Sequence, residues 1–191
     1  MLKVNEMFGN TIQGEGMYTG IPSIFVRTNG CNLKCVFKDS ICDTSYTSFN
    51  PEKPLYDNWD DLMEAFKNLV NENPRVNHLV ITGGEPLLQS EFLLELINEL
   101  KHYHLCIETS AFCDSEVFKK VIQKLDFVIM DIKLADNDLH KEYTGVSNEL
   151  ILKNFEILKN SGKEFIIRTP LISSITDTAE NLSAIKKIIG D

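Results

Sequence analysis

Cys31, Cys35 and Cys42 stand in one short stretch with C-x3-C-x6-C spacing, and Thr82-Gly83-Gly84-Glu85-Pro86 follows at about the distance of one βα unit. Three thiolates can hold a 4Fe–4S cluster and leave one iron open, whereas four close every iron and suit electron transfer. An open iron can bind a small molecule and pass it an electron. The Gly-Gly-Glu-Pro run offers backbone carbonyls and a carboxylate as acceptors for an ammonium, and glycines let a ligand approach the backbone without a Cβ in the way.

Other uses of these cysteines are weaker. Structural zinc takes four protein ligands in C-x2-4-C pairs, and the sequence has no second pair or nearby histidine. The cysteines number five, an odd count, and no secretory signal peptide is evident, so a reducing cytoplasm is the expected location and disulfides are not expected. Cys106, in the apolar run Leu105-Cys106-Ile107, reads as an ordinary buried thiol. Cys113, in a loop, is a weak candidate for a spare ligand.

The elements that must position these groups follow from hydrophobic periodicity. Strands are expected over 22–28, 78–82, 104–108, 127–132 and 164–168; helices over 59–71, 90–100, 115–125, 149–160 and 179–189. Asn58 or Asp57 is the expected cap of the first helix and Ser90 of the second, and Gly162 ends the fourth. Strands alternating with helices imply parallel βαβ units. The cysteine loop, Gly83-Gly84-Glu85, Glu108-Thr109-Ser110, Asp131-Ile132-Lys133 and Arg168 then all fall just after strands, where α/β proteins place their ligands. The expected fold is α/β: a partial, open TIM-type (β/α)6-like barrel.

With 191 residues and 43% hydrophobic content, the chain 1–191 reads as a single domain with ample core. No apolar stretch approaches the roughly 18 residues of a membrane span. A net charge of −9 leaves no global basic surface for nucleic acid. No repeat or low-complexity tract stands out, and 50–54, the best loop, is too short for a domain linker.

The cysteine triad followed by Gly-Gly-Glu-Pro resembles the radical S-adenosylmethionine (SAM) enzymes, whose usual loop is C-x3-C-x2-C. That resemblance implies a 4Fe–4S cluster on Cys31, Cys35 and Cys42 and reductive cleavage of SAM to a 5′-deoxyadenosyl radical. It implies SAM contacts at Thr82, Gly83, Gly84, Glu85, Glu108, Thr109, Ser110 and Lys133, with Asp131 orienting a neighbour. It also implies reduction by a donor such as flavodoxin or ferredoxin, a homodimer as a common state, and one further C-terminal strand in the usual core. Phe37 or Ile41 would cover the adenine, the family's aromatic position before the third cysteine being Ile41 here.

The N-terminal run is similar to the 7-carboxy-7-deazaguanine synthase family. It comprises Glu6 to Gly16, with Gln13-Gly14-Glu15-Gly16 at its end, Gly20 to Arg27, Gly30 to Cys35 and Cys42-Asp43-Thr44. This implies conversion of 6-carboxy-5,6,7,8-tetrahydropterin to 7-carboxy-7-deazaguanine in queuosine biosynthesis. Gln13, Gly14 and Glu15 would meet the pterin, Arg27 its carboxylate, and Thr44 would help hold Mg²⁺. In the second half, Asp131-Ile132-Lys133, His140, 144–148 and 167–171 resemble glycyl-radical-enzyme activases, which act on a glycine of a partner protein. The Gln13–Glu15 run favours the small-molecule alternative. A non-catalytic iron–sulfur protein is the third reading; it would need no Gly-Gly-Glu-Pro.

Overall fold

The computed structural model describes residues 3–49, 51 and 54–190, so the expected loop at 50–54 lies partly outside the described residues. Chain order is β1 (Val4–Ile12), β2 (Pro22–Thr28), β3 (Val36–Phe37), β4 (Ser40–Ile41), α1 (Ser45–Ser48), α2 (Trp59–Glu72), β5 (His78–Gly83), α3 (Ser90–Glu99), β6 (His104–Thr109), α4 (Ser115–Ile122), β7 (Phe127–Asp131), α5 (Asn137–Thr144), α6 (Glu149–Lys159), β8 (Glu164–Arg168) and α7 (Ala179–Ile189). A six-stranded sheet runs β1-β2-β5-β6-β7-β8, leaving β1 and β8 as its edges. Every pairing from β2 to β8 is parallel, and β1 joins β2 antiparallel. This is the expected open α/β barrel, with β1 as an added edge.

Alternation along the strands separates two layers. Leu79 and Ile81, Leu105 and Ile107, and Val128 and Met130 face the helices and join Leu62, Phe66, Leu93, Phe118, Phe155 and Ile185 in the main core. The residues between them, Val80, Cys106, Phe127 and Ile129, form a smaller core on the other face with Tyr18, Phe25 and Ile166. Cys106 is thus the buried thiol expected of it.

The helix ends follow local chemistry. Asn58 caps α2 by accepting from the Asp61 amide at 2.9 Å, as expected. Ser90 does not cap α3: a 3-10 turn over Pro86–Gln89 runs directly into the helix, so the chain is already turning before Ser90. Helix α5 was not foreseen from periodicity, because its face is mostly polar. Its ends carry it instead: Asp136 accepts from the amides of Asp138 and Leu139, and Gly145 closes it with φ of 81°.

Candidate active site

The strand ends and the cysteine loop enclose a cavity of about 930 Å³. Cys31, Cys35 and Cys42 line it, together with Thr82, Gly83, Gly84, Glu108, Thr109, Ser110 and Lys133. Gln13, Gly14, Glu15, Arg27, Phe37, Ile41 and Thr44 line it as well. Of the residues expected at a site, Glu85 and the spare-ligand candidate Cys113 are absent from the lining.

The six residues between Cys35 and Cys42 form a hairpin in which Val36 pairs with Ile41 and Phe37 with Ser40. The Cys42 amide donates to the Cys35 carbonyl at 3.1 Å. The insertion is therefore taken up as a β-ribbon, and the third cysteine returns beside the second. Leu33, Phe37, Leu134 and Ile175 form an apolar jacket around the thiols. Burial, then the charge of Glu85, pushes Cys31 up to about 12. Burial pushes Cys35 up to about 11 against the opposing pull of Lys133. Among the described residues no group of three His, Cys, Asp or Glu side chains could hold a single metal ion. Three separate thiols on one apolar loop fit a cluster, because each binds a different iron.

The glycine pair meets protein before it meets any ligand. A Cβ at Gly84 would lie 2.0 Å from the Gly30 carbonyl, and one at Gly83, where φ is 125°, would lie 2.3 Å from the Thr28 backbone. The Gly84 amide donates to the Thr28 carbonyl at 3.1 Å and the Glu85 amide to the Gly30 carbonyl at 2.8 Å. The pair thus lets the end of β5 lie directly against the chain entering the cysteine loop. Glu85 is 1% exposed. Its carboxylate accepts from Thr109 Oγ1 at 2.6 Å, Ser110 Oγ at 2.6 Å and the amides of Ser110 (2.8 Å) and Leu87 (3.1 Å). Burial raises its pKa, and the Ser110, Thr109 and Leu87 donors pull it part of the way back. Glu85 thereby ties the loop after β6 to the loop after β5.

Charged groups gather across the ends of β6, β7 and β8. Asp131 bridges Lys133 Nζ at 2.6 Å and Arg168 Nε at 2.7 Å. Burial alone would raise the Asp131 pKa, but Lys133 and Arg168 hold it below its ordinary value. Arg168 also pairs with Glu15 and lies 3.5 Å from Glu108. Glu108 accepts from Thr82 Oγ1 at 3.0 Å and from Gln13 Nε2 at 3.3 Å. Asp131 was expected to orient a neighbour and it bridges Lys133 and Arg168, whereas the contacts of Arg168 with Glu15 and Glu108 were not expected. Nothing local singled them out, since Glu15 and Arg168 meet across 153 positions.

Arg27 pairs with Glu6 at 2.7 Å, and Tyr46 donates to the same Glu6 oxygen at 2.8 Å. The Thr44 hydroxyl lies 3.4 Å from Cys42 Sγ and 3.5 Å from the Gly83 carbonyl, linking the third cysteine to the glycine pair. Nothing at Thr44 supports the expected Mg²⁺. Phe37 stacks on Tyr143 with ring centroids 5.5 Å apart, while Ile41 is 59% exposed.

The sequence matches the Radical SAM superfamily over residues 25–183. It is 42% identical over 130 residues to the 4-hydroxyphenylacetate decarboxylase activating enzyme of Clostridioides difficile, covering 66% of this chain and 41% of that protein. It is 40% identical over 115 residues to the (2S)-3-sulfopropanediol sulfolyase activating enzyme of Bilophila wadsworthia, covering 58% and 38%. The chain thus spans about two fifths of the length of the curated relatives it matches. Among solved structures, a domain of pyruvate-formate lyase-activating enzyme from Bacteroides vulgatus is 28% identical, with 57% of this chain and 69% of that chain covered and a TM-score of 0.54.

These relatives overturn the expectation of a 7-carboxy-7-deazaguanine synthase, and with it the pterin substrate and the queuosine pathway. Arg27, expected on the pterin carboxylate, holds Glu6, while Gln13 and Glu15 are bound to Glu108 and Arg168. The N-terminal run carried the expectation because its short motifs are conspicuous.

Proposed function

The chain belongs to the radical SAM superfamily, and on that premise we propose that it is the SAM-cleaving core of an activating enzyme that places a radical on a glycine of a partner protein. The observation that carries this reading is the 40–42% identity to proteins named as activating enzymes. When bound and reduced, a cluster on three thiolates supplies the electron that cleaves SAM at its open iron.

The chain's own residues hold and orient. Cys31, Cys35 and Cys42 present thiols from one loop, and the glycine pair brings the end of β5 against that loop. Lys133 and Arg168 offer cations to the carboxylate of SAM, with Asp131 fixing both. Glu108 offers a carboxylate to its ammonium or ribose hydroxyls. Thr109 and Ser110 line the same wall, set there by Glu85. The apolar jacket shields the thiols from water. The electron donor is a low-potential protein of the flavodoxin or ferredoxin kind. No helix among the described residues is long and apolar enough to cross a membrane.

The test is anaerobic reconstitution with iron and sulfide, reduction, and addition of SAM. Candidate partners are then added: 4-hydroxyphenylacetate decarboxylase, (2S)-3-sulfopropanediol sulfolyase and pyruvate formate-lyase. 5′-Deoxyadenosine together with a glycyl-radical doublet in the electron paramagnetic resonance spectrum of one partner is the expected result. 5′-Deoxyadenosine with no radical on any of the three would count against the activating role and leave the SAM chemistry standing.

A further inference from the structure

The chain between β1 and β2 does more than connect them. Gln13 N donates to Ile21 O at 2.9 Å and Gly20 N to Gln13 O at 2.8 Å, which pinches residues 13–21 into a closed loop. From the β1 edge this loop crosses the helix-free face of the sheet. Gln13 reaches Glu108 at the end of β6, and Glu15 reaches Arg168 at the end of β8, the opposite edge. At Gly16, where φ is 68°, the loop passes so close to β8 that a Cβ would lie 2.5 Å from the Ile166 δ-carbon. An open barrel has its lateral gap between its two edge strands, and this loop bridges from one edge to the other.

The far end of the loop is anchored at the opposite end of the strands. The Tyr18 ring lies 4.9 Å from the His78 ring, 4.7 Å from His104 and 4.8 Å from Phe127, centroid to centroid. Its hydroxyl is 3.0 Å from His104 Nε2, and His104 Nδ1 is 2.9 Å from His78 Nδ1. Each of these residues begins its strand, so Tyr18 seals the floor of the face while Glu15 spans its rim. The outward side chains of the loop and its flanks, Ile12, Met17 and Ile21, are 54%, 64% and 44% exposed.

We propose that residues 13–21 form a strap across the lateral opening, that Tyr18 is the positioning residue that anchors it, and that an extended polypeptide displaces the strap to reach the cavity. The proposal rests on the activating-enzyme reading for the identity of the polypeptide; the strap and its anchor do not. The energetic logic is that of a minor open state which a ligand selects.

The experiment uses the full chain and reads amide hydrogen exchange in residues 13–21 against β5 and β6. Tyr18→Ala is expected to speed exchange in the strap about tenfold and leave β5 and β6 within about twofold, with Tyr18→Phe between the two because it keeps the ring and loses the bond to His104. Equal acceleration in strap and strands, or none in either, would make Tyr18 ordinary packing and overturn the anchor. In the reconstituted enzyme, Tyr18→Ala is expected to lower the KM for an accepting partner several-fold with the rate constant for SAM cleavage unchanged. A partner that acquires the glycyl radical while strap exchange stays protected in its complex would overturn the gate. If none of the three partners accepts a radical, the activating role fails and the exchange result still decides the anchor.

Discussion

The two ends of the helix-free face are built on opposite plans. At the C-terminal ends of the strands the groups are ionic: Asp131, Lys133, Arg168, Glu15 and Glu108 pair with one another around an open cavity. At the N-terminal ends lie Tyr18, His78, His104 and Phe127, stacked and hydrogen-bonded with little space between them. Paired charges can exchange partners when a charged ligand arrives, which suits a binding end. Rings that stack and share hydrogen bonds resist hydration, which suits a floor. One strap joins the two ends, with Glu15 in the first and Tyr18 in the second.

The sharpest way to test the binding end is to remove a thiol. Cys42→Ala is expected to abolish both the reconstituted cluster absorbance and SAM cleavage; retention of both would mean that the hairpin does not deliver the third ligand. Next comes Asp131→Asn, which leaves the half-buried Lys133 and Arg168 without the carboxylate that bridges them. Breaking a fully buried ion pair costs about 3–5 kcal/mol and this partly exposed one costs less, so a fall in denaturant midpoint is expected along with weaker SAM binding. No change in either would reduce this network to surface electrostatics and erase the contrast between the two ends. Glu85→Gln should follow. Leaving buried donors poorly matched costs about 1–3 kcal/mol, and the loss is expected in stability, with SAM affinity altered only through the displaced 109–110 loop. A variant as stable as the parent with sharply weakened SAM binding would instead make Glu85 a direct ligand.

Sequence patterning reveals the binding end far more readily than the floor. Cys31, Cys35, Gly83 and Gly84 lie in short runs whose chemistry is local, and the alternation of apolar segments places each run after a strand. The parallel strands were legible for the same reason. Edge strand β1 was not, because its residues are mostly half-buried and its Gln-Gly-Glu continuation draws attention as a motif. Tyr18, His78, His104 and Phe127 are scattered over more than a hundred positions, and only sheet register sets His78 opposite His104. Glu85 illustrates a subtler limit. Its residue type and position suggested a ligand, but the partners that occupy its carboxylate come from a loop 24–25 positions away. The substrate class was misread on similar grounds: a conspicuous N-terminal motif says little about which groups its side chains actually hold.

The smallest effect concerns the floor, and it is the one most easily separated from catalysis. His78 is 3% exposed, and burial followed by the neighbouring His104 ring lowers its pKa from 6.5 to about 4. Asp126 opposes that shift. The unfolded chain therefore binds a proton near pH 6.5 that the folded chain refuses until about pH 4. Stability contributed by neutral His78 is present above pH 6.5 and is lost progressively as pH falls toward 4, because protons then favour the unfolded state. Between pH 7 and pH 5 the loss amounts to about 2 kcal/mol at roughly 1.4 kcal/mol per pKa unit. Urea unfolding at the two pH values measures it, with His78→Phe as the comparison. The variant should lose about 2 kcal/mol less than the parent over that interval, whatever its stability at pH 7. Equal losses in the two proteins would place the acid-sensitive group elsewhere. The floor would then be as accessible to protons as the rim, and the distinction between the two ends would rest on packing alone.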